Sequence, residues 1–455
     1  MKKIAIVGAG WAGMAAAVAA TQAGHHATVF EASRAVGGRA RALKGTLPDG
    51  TEVLLDNGQH ILIGAYTETL RLMRLVGVNP ATTLLRLPLS LQYPDGTGLA
   101  LPLSLLLPAP LDALVGMLRV RGWSWADKCS LLGAATRWAL QGYTCPAHTT
   151  VAQLCKRLSP RVMDMLIEPL CVSALNTPAD RASAQVFLRV LKDSLMGGTG
   201  ASNLLLPMVD LSALFPQAAA QWLQAHGGAV RLGTRVDSLA YQSQASAKDA
   251  TGPDSGTWLV NGEVFDAVVW ATSASNAALA LSQCAQAAPE TIATTMRQWA
   301  NITQALPFEA ITTVYAYAPQ ARLRQPMLAL PCNAANPSIT PAQFVFDRGQ
   351  LGGPSGLLAL VVSASTGDKD ALQAQVLAQA HAQLGLQLQP VQTVVEKRAT
   401  FACTPGLARP PQTIAPGLFA CGDYVDGPYP ATLEGAVRSG VAVGVGVGLS
   451  PGFVL

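Results

Sequence analysis

The chain has 455 residues, of which 13% are charged and 50% are apolar, and its formal net charge is +4. This length is enough for two or three domains, and so small and scattered a positive charge argues against a nucleic-acid-binding protein. The share of charged residues is about half of the usual one, which favours an apolar ligand, a membrane surface or a partner protein.

The cysteines and histidines show none of the common metal-binding patterns. The eight cysteines are scattered without a C-x-x-C pair, and the six histidines include no H-x-x-x-H pair. We therefore predict no metal site and no thioredoxin-type chemistry, and we expect a reducing compartment.

The first forty residues predict a strand, a tight turn, a helix and a second strand. Gly8, Gly10 and Gly13 form a G-x-G-x-x-G turn, and Glu31 ends the next apolar run, 23 positions after Gly8. Such glycines permit a sharp turn, a close approach of the backbone to a pyrophosphate and close packing of the helix on the sheet. A carboxylate at this spacing accepts hydrogen bonds from ribose hydroxyls and disfavours a 2′-phosphate. The predicted ligand is FAD or NAD rather than NADP.

The same residues also imitate a secretory signal, because two lysines precede an apolar stretch and small residues follow at 17–19. The three glycines interrupt that stretch, and cleavage would destroy the nucleotide site. The nucleotide-binding interpretation is therefore preferred.

Residues 84–118 are strongly apolar, but five prolines and two aspartates interrupt them, so we predict no transmembrane helix. The segment is either a buried part of a substrate domain, or a patch that lies on a membrane or opens a lipid tunnel. Trp123, Trp125 and Trp138 follow with basic residues nearby. This pattern is typical of a membrane interface, and equally of a helix core with a solvated rim.

The remaining pattern alternates helical and strand-like stretches. The predicted helices are Thr67–Gly77, Thr150–Leu158, Pro160–Leu175, Ala182–Leu195, 208–226, Lys369–Leu384 and Thr432–Val443. The predicted strands are Val230–Leu239, Phe265–Thr272, Ile311–Ala316, Ala342–Phe346, Leu357–Val362, Val391–Thr400 and Gly417–Cys421.

Nucleotide-binding patterns thus occur in four separated parts of the chain. They are the glycine turn at 8–13, the segment around Gly58, the strands within 230–272, and the turn at Gly422-Asp423 with the helix that follows it. A simple NAD dehydrogenase keeps its Rossmann unit contiguous. We predict an α/β fold, in which a discontinuous Rossmann-like FAD-binding domain carries an inserted mixed sheet and helical substrate domain. The predicted division is FAD-binding in 1–83, 207–275 and 401–455, substrate or membrane-facing helices in 84–206, and a substrate-domain sheet in 276–400.

Five segments resemble the flavin amine oxidase/phytoene desaturase superfamily. They are GAGWAG with VGGRA (8–13 and 36–40), LDNGQHILIGAY (55–66), GGAVRLGTRVDSL (227–239), VVWATSA (268–274) and LFACGDYVDGPYPATLEGAVRSG (418–440). LDNGQHILIGAYTETLRLM, SALNTP and YPATLEGAVRSG are similar to the squalene-associated branch, the hydroxysqualene dehydroxylases.

The resemblance implies an amine oxidase/phytoene desaturase-like fold with FAD as cofactor. It implies these cofactor-binding residues: Gly8, Ala9, Gly10, Ala12, Gly13, Glu31, Ala32, Gly38, Arg39, Gly58, Gln59, His60, Val236, Ala271, Gly422, Asp423, Thr432, Leu433 and Glu434.

The resemblance also implies individual roles. Arg39 counters the pyrophosphate, Asp423 accepts from the ribityl chain, and the helix that begins near Thr432 points at the flavin carbonyl edge. A proton donor is needed near the flavin. His60 is the first candidate, because an imidazole titrates near neutral pH; Tyr424, Asp426 and Tyr429 are weaker candidates.

The implied reaction is the reductive removal of the hydroxyl of hydroxysqualene, which gives squalene, by hydride from reduced FAD. The expected partners are an apolar polyprenyl substrate, an external reductant and, transiently, the inner face of the cytoplasmic membrane, with the protein otherwise cytoplasmic. A carotenoid-type desaturase, a flavin amine oxidase and a flavin-binding scaffold without turnover remain open alternatives. With 6% aromatic residues the sequence shows no evident aromatic cage for an amine.

Overall fold

The computed structural model describes residues 1–100, 111–243, 256–332 and 339–447, with 111–114 described as backbone only. Part of the apolar run 84–118 therefore lies outside the described residues. Within the described residues no helix is both long enough and apolar enough to cross a membrane.

The strands of the described residues are, in chain order, β1 (Lys3–Val7), β2 (His26–Glu31), β3 (Ala42–Thr46), β4 (Glu52–Asp56), β5 (Leu62–Ile63), β6 (Leu84–Leu87), β7 (Ser90–Gln92), β8 (Gly98–Ala100), β9 (Leu204–Pro207), β10 (Ala229–Leu232), β11 (Leu239–Ser243), β12 (Gly256–Val260), β13 (Glu263–Phe265), β14 (Ala267–Trp270), β15 (Phe308–Tyr317), β16 (Met327–Ala329), β17 (Phe344–Asp347), β18 (Leu357–Ser365), β19 (Gln389–Phe401), β20 (Thr413–Ala415) and β21 (Leu418–Ala420).

The α-helices of the described residues are α1 (Trp11–Gln22), α2 (Thr67–Leu75), α3 (Pro80–Thr83), α4 (Leu111–Leu118), α5 (Trp125–Leu140), α6 (Val151–Leu154), α7 (Pro160–Val162), α8 (Glu168–Leu175), α9 (Ala184–Met196), α10 (Leu211–Leu214), α11 (Pro216–Ala225), α12 (Ala274–Cys284), α13 (Glu290–Gln304), α14 (Lys369–Leu384) and α15 (Leu433–Gly446).

A six-stranded sheet in the order β10-β2-β1-β14-β21-β20 forms the centre of the nucleotide-binding part. Its first five strands are parallel, and β20 pairs antiparallel at the edge. The apolar sequences of β1 and β14 fit a sheet that is covered on both faces. On one face Ile4 and Ile6 pack in the same core as α1, α11 and α15. The strands come from residues 1–83, 207–275 and 401–455, as a discontinuous domain requires.

Helices α1 and α15 pack so closely that no side chain fits at two positions of α15, Gly440 and Gly444. A Cβ on Gly440 would lie 2.2 Å from the Ala12 carbonyl oxygen, and one on Gly444 would lie 2.6 Å from that of Ala16. The small residues of α1 thus let the C-terminal helix lie directly on the first helix, which joins the two ends of the chain in one domain.

A second, antiparallel sheet in the order β16-β17-β18-β15-β19 forms the inserted part. Alternation along its strands separates two faces. Val314 and Leu360 pack under α14, whereas Tyr315, Phe344 and Phe346 belong to the core on the opposite face. Phe344 and Phe346 on that opposite face also line a large cavity.

Several predicted elements differ from the structure. The predicted helix Pro160–Leu175 contains a π-helical segment at Met163–Ile167, and only Val151–Leu154 of the predicted helix Thr150–Leu158 is helical. The predicted strand Val230–Leu239 ends at Leu232, because Gly233 adopts a φ of +65° and its N–H donates to the Ser33 carbonyl oxygen. The predicted helix over 208–226 breaks into α10 and α11 at Phe215-Pro216. The predicted helix Lys369–Leu384 is confirmed. The α/β class with a discontinuous Rossmann-like part is also confirmed, and the five-segment boundaries remain our proposal.

Candidate cofactor and active site

Glycines at the carboxyl end of β1 form a backbone cradle. Gly8 has a φ of +114°, and a Cβ there would lie 2.8 Å from the Ala271 carbonyl oxygen. A Cβ on Gly38 would lie 3.2 Å from the Cα of Gly10. Gly10 precedes α1 and offers no side chain to cap it. The first N–H groups of α1 therefore face open space, which is the arrangement that binds a pyrophosphate.

Gly13 lies one layer behind the cradle. A Cβ at this position would be 2.0 Å from the Gly8 carbonyl oxygen and 3.0 Å from the Ala271 side chain. Gly13 consequently lets α1 lie against the sheet, and it supports the cradle without lining the cavity.

Glu31 lies where β2 ends and lines the cavity together with Ala32. Its carboxylate accepts hydrogen bonds from the backbone N–H groups of Ala9 and Ser33, both at 2.8 Å. A carboxylate has about four acceptor positions, so capacity remains for ribose hydroxyls. The chain after β10 passes beside it, because the Thr234 N–H donates to the Glu31 carbonyl oxygen at 2.8 Å. This turn brings Val236 into the cavity wall.

Arg39 and Asp423, which are 384 positions apart, pair with each other in the cavity wall. The Arg39 guanidinium also donates to the Ala399 carbonyl oxygen at 2.6 Å. Asn57 holds the same corner, because its amide donates to the Arg39 carbonyl oxygen and to the Glu396 carboxylate, both at 3.0 Å. The predicted pyrophosphate and ribityl contacts thus lie side by side.

The start of α15 contributes Thr432 and Leu433 to the cavity wall. Glu434 points away from it and is fully buried. Its carboxylate accepts from the backbone N–H groups of Glu68 and Thr69, from the Thr69 hydroxyl and from Arg438, at 2.7 to 3.1 Å. The Glu434 side chain therefore ties α15 to the start of α2 instead of facing a ligand.

Gly58, Gln59 and His60 follow β4 and line the cavity. The His60 Nδ1 is 2.8 Å from the Gly58 carbonyl oxygen, so we assign the proton to Nδ1 and leave Nε2 as an acceptor. Burial and the charge of Arg39 lower the pKa of His60 against the opposing effect of the Gly58 hydrogen bond. The imidazole is therefore mostly neutral at pH 7.

Behind Gln59 lies a buried pair, Asp56 and Arg348. The Arg348 Nη2 is 3.8 Å from Asp56 Oδ2, and the two side chains are 6% and 2% exposed. Asp56 Oδ1 also accepts from the Leu211 N–H at 2.8 Å. Arg348 Nη1 donates to the Gln59 Oε1 at 3.3 Å, which fixes the orientation of that amide. Burial raises the pKa of Asp56 to about 6, although Leu211 and Arg348 stabilise its carboxylate.

This shift predicts a pH-dependent stability. The pKa of Asp56 is higher in the folded chain than in the unfolded one, so the folded state binds more protons between about pH 4 and 6. Asp56 therefore adds about 3 kcal/mol to the free energy of unfolding below about pH 4, and this contribution is lost as the pH rises through 6. We expect the free energy of unfolding of the wild type, measured with denaturant, to fall as the pH rises through this window, relative to that of Asp56→Asn. The asparagine variant keeps an oxygen that accepts from the Leu211 N–H. A constant difference between the two proteins from pH 4 to 7 would contradict the shift.

One cavity of about 1150 Å³ joins these groups. Among the predicted cofactor-binding residues, Ala9, Gly13 and Glu434 lie outside its wall, and the others line it. The cavity continues between the inserted sheet and helices α8 and α9, where the wall is mainly apolar: Leu170, Val172, Phe187, Val190, Leu191, Leu204, Ile311, Phe344, Phe346 and Val361. Its volume exceeds the range of about 300–1000 Å³ that is usual for one ligand.

The cavity fits a dinucleotide flavin. The glycine cradle and the uncapped start of α1 suit the pyrophosphate, and Glu31 suits a ribose. In addition, the Gln59 Nε2 and the Tyr424 hydroxyl are buried without a partner among the described residues, and both side chains line the cavity. Buried polar groups are normally paired, so these two favour a polar ligand at this end of the cavity.

Sequence reasoning missed Asn57, Glu396 and Arg348. Asn57 could have been predicted from the sequence, because it adjoins Gly58 in the segment LDNGQHILIGAY. Glu396 and Arg348 lie in a distant strand and in the turn after β17, and the sequence around them carries no pattern that points to the cavity. Asp426, a weaker candidate for proton donation, is largely exposed and pairs with Arg409, whereas Tyr424 and Tyr429 line the cavity.

The chain is similar to known proteins over nearly its whole length. The hydroxysqualene dehydroxylase of Sinorhizobium fredii is 26% identical over 470 residues, and that of Rhodopseudomonas palustris is 28% identical over 480 residues; each alignment covers 96% of both chains. A solved oxidoreductase from Methanosarcina mazei has a TM-score of 0.67 at 15% identity and covers 97% of this chain and 99% of its own, which shows a shared fold.

The predicted resemblance and the FAD cofactor are confirmed. The family model described as flavin containing amine oxidoreductase matches residues 11–444, which is nearly the whole chain. The chain therefore belongs to the flavin containing amine oxidoreductase family and is an FAD-dependent oxidoreductase.

Proposed function

We propose that this enzyme removes the hydroxyl of hydroxysqualene reductively and releases squalene. The observation that carries the proposal is the continuity of the cavity: the flavin-binding wall runs without a break into a long apolar wall. The substrate itself is suggested by the similarity to hydroxysqualene dehydroxylases over 96% of both chains.

The apolar wall suits a polyprenyl chain. Phe344, Phe346 and Val361 come from β17 and β18, and Leu170 and Phe187 come from α8 and α9 on the other side. Apolar contact stabilises by about 25 cal/mol for each Å² removed from water, so a long hydrocarbon gains binding energy along the whole wall.

The reaction replaces a C–O bond by a C–H bond. The hydroxyl leaves with a proton as water, and the carbon receives a hydride. Reduced FAD supplies that hydride when bound, and an external reductant must then regenerate the reduced FAD.

The leaving hydroxyl needs a proton, and we keep His60 as the proposed donor. It lies in the cavity wall within the segment that the resemblance places at the flavin. Since its pKa is lowered, the protonated fraction is small at pH 7, and donation by His60 would become faster as the pH falls. The buried Tyr424 hydroxyl lies in the same wall, and burial raises the pKa of its phenol, which keeps the proton in place.

Product analysis under two conditions tests the proposal. The reduced holoenzyme is incubated without oxygen with hydroxysqualene, and the oxidised holoenzyme is incubated with ζ-carotene or phytoene. We expect squalene in the first incubation and no desaturated product in the second, as read by mass spectrometry of the extracted lipids. Free reduced FAD in the same buffer is the control.

The alternatives give different products. Desaturated carotenoid without squalene would show a desaturase instead, and peroxide release with mono- or polyamines would show an amine oxidase. Bound flavin with no product under any of these conditions would favour a scaffold without turnover.

A further inference from the structure

One face of α5 exposes apolar side chains in a continuous stripe. Trp125, Leu132 and Leu140 are 72%, 41% and 85% exposed. With the exposed Cys129 and Thr136 they follow one another at intervals of three and four residues, so they share one side of the helix. We call this stripe the α5 face. Large apolar groups concentrated on one helix side mark an interaction surface.

The chain segment that carries the α5 face is basic. Between Val115 and Arg161 the chain has one acidic residue, Asp127, and seven basic ones: Arg119, Arg121, Lys128, Arg137, Lys156, Arg157 and Arg161. Asp127 is buried and accepts hydrogen bonds from Ser124 and Ser159. The whole chain has a net charge of only +4, so the positive charge is concentrated in this segment.

The basic groups and the apolar stripe are close together. The Lys128 ammonium lies 5.2 Å from the centre of the Trp125 ring and donates to the Leu118 carbonyl oxygen at 2.7 Å. Arg161 donates to the Gly122 carbonyl oxygen at 2.7 Å, at the turn before α5. Leu118 is itself 44% exposed. Basic and apolar groups therefore form one surface at the start of the helix.

The inner side of α5 belongs to the wall of the enzyme. Leu131 and Trp138 are buried in the same core as Leu166 and Phe187. Phe187 also lines the apolar end of the cavity. Helix α5 thus connects the exposed stripe to the core beside the substrate end of the cavity.

We propose that the α5 face docks onto an anionic phospholipid bilayer. A tryptophan and leucines on one helix side, flanked by lysine and arginine, are the features that hold a helix in the plane of a membrane interface. The absence of an exposed acid among the described side chains of 115–161 suits a negatively charged surface. The surface alone carries this proposal, which does not depend on the identity of the substrate.

Vesicle binding by the holoenzyme tests this proposal. We expect co-sedimentation with vesicles of phosphatidylcholine and phosphatidylglycerol, and much weaker binding to phosphatidylcholine alone or at high salt. Arg119→Gln, Arg121→Gln and Arg137→Gln together should lower the affinity about a hundredfold, because each basic residue near an anionic surface contributes about fivefold. Trp125→Ser with Leu140→Ser should lower it at least tenfold.

Matched controls come from exposed residues elsewhere. Val264 is 48% exposed on the β12–β13 hairpin, and Lys44 is exposed on β3; the control variants are Val264→Ser and Lys44→Gln. Both should leave vesicle binding unchanged, and all variants should keep wild-type flavin content and thermal unfolding, because the altered side chains are exposed. Variants of the α5 face that bind vesicles as the wild type does would overturn the proposal. So would sedimentation-velocity data in which the same variants abolish a dimer while vesicle binding persists, since the face would then join two copies of the chain.

Discussion

Gly13→Ala should give a protein that does not retain FAD and accumulates as insoluble or unfolded chain. The new Cβ would lie 2.0 Å from the Gly8 carbonyl oxygen, which is backbone and cannot move aside without displacing the cradle. Helix α1 would have to lift from β1, and its N-terminus would leave the position of the pyrophosphate. The measurement is the yield of soluble protein and its flavin absorbance per chain.

Gly133→Ala is the matched control, because it is also a glycine inside a helix but has no atom within 4 Å of a new Cβ. We expect normal flavin content and a stability that is equal or higher by up to about 1 kcal/mol, as helix propensity predicts. A soluble Gly13→Ala protein with a full complement of FAD would show that α1 does not need this close contact.

Glu434→Gln should lower the free energy of unfolding by about 3 kcal/mol. The carboxylate is fully buried and its two oxygens together accept four hydrogen bonds, three of them from Glu68 and Thr69 at the start of α2 and one from Arg438. The glutamine amide has the same shape but replaces one acceptor oxygen by an NH₂ group. The buried donors that face this NH₂ group therefore lose their acceptor. Bonds to a charged acceptor contribute about 1.5–3 kcal/mol each, and relaxation recovers part of the loss.

Urea unfolding monitored by fluorescence measures this change, with Glu290→Gln as the control. Glu290 pairs with Arg297 but is 81% exposed, so its loss should change stability by less than about 0.5 kcal/mol. Equal midpoints for Glu434→Gln and the wild type would mean that α15 and α2 are held together without this carboxylate.

Local patterns in the sequence were sufficient for the cofactor domain. The structure brings Gly8 and Gly10 of the G-x-G-x-x-G turn, Glu31 and Gly422-Asp423 to the wall of one cavity, and Gly13 supports this wall from behind. The helix Lys369–Leu384 was also predictable, because Asp368 caps its start and Gly385 ends it in a left-handed conformation.

Other features depend on contacts between distant residues, and local patterns do not encode them. Glu434 begins a helix that the sequence places at the flavin, yet its carboxylate is taken by α2, 366 positions earlier. The strand after Val230 stops where Gly233 turns toward Ser33, which no periodicity reveals. Arg348 reaches Gln59 and Asp56 from behind the cavity wall only because the inserted sheet packs against β4.

A single-turnover experiment tests the central proposal most directly. The FAD of the holoenzyme is reduced photochemically without oxygen, and hydroxysqualene is added while flavin absorbance and squalene are followed in the same sample. We predict that oxidised flavin and squalene appear together, one squalene for each flavin, and that squalene itself causes no reoxidation. Reduced flavin that stays reduced while hydroxysqualene is recovered unchanged would contradict the proposed reaction, and so would reoxidation that yields no squalene.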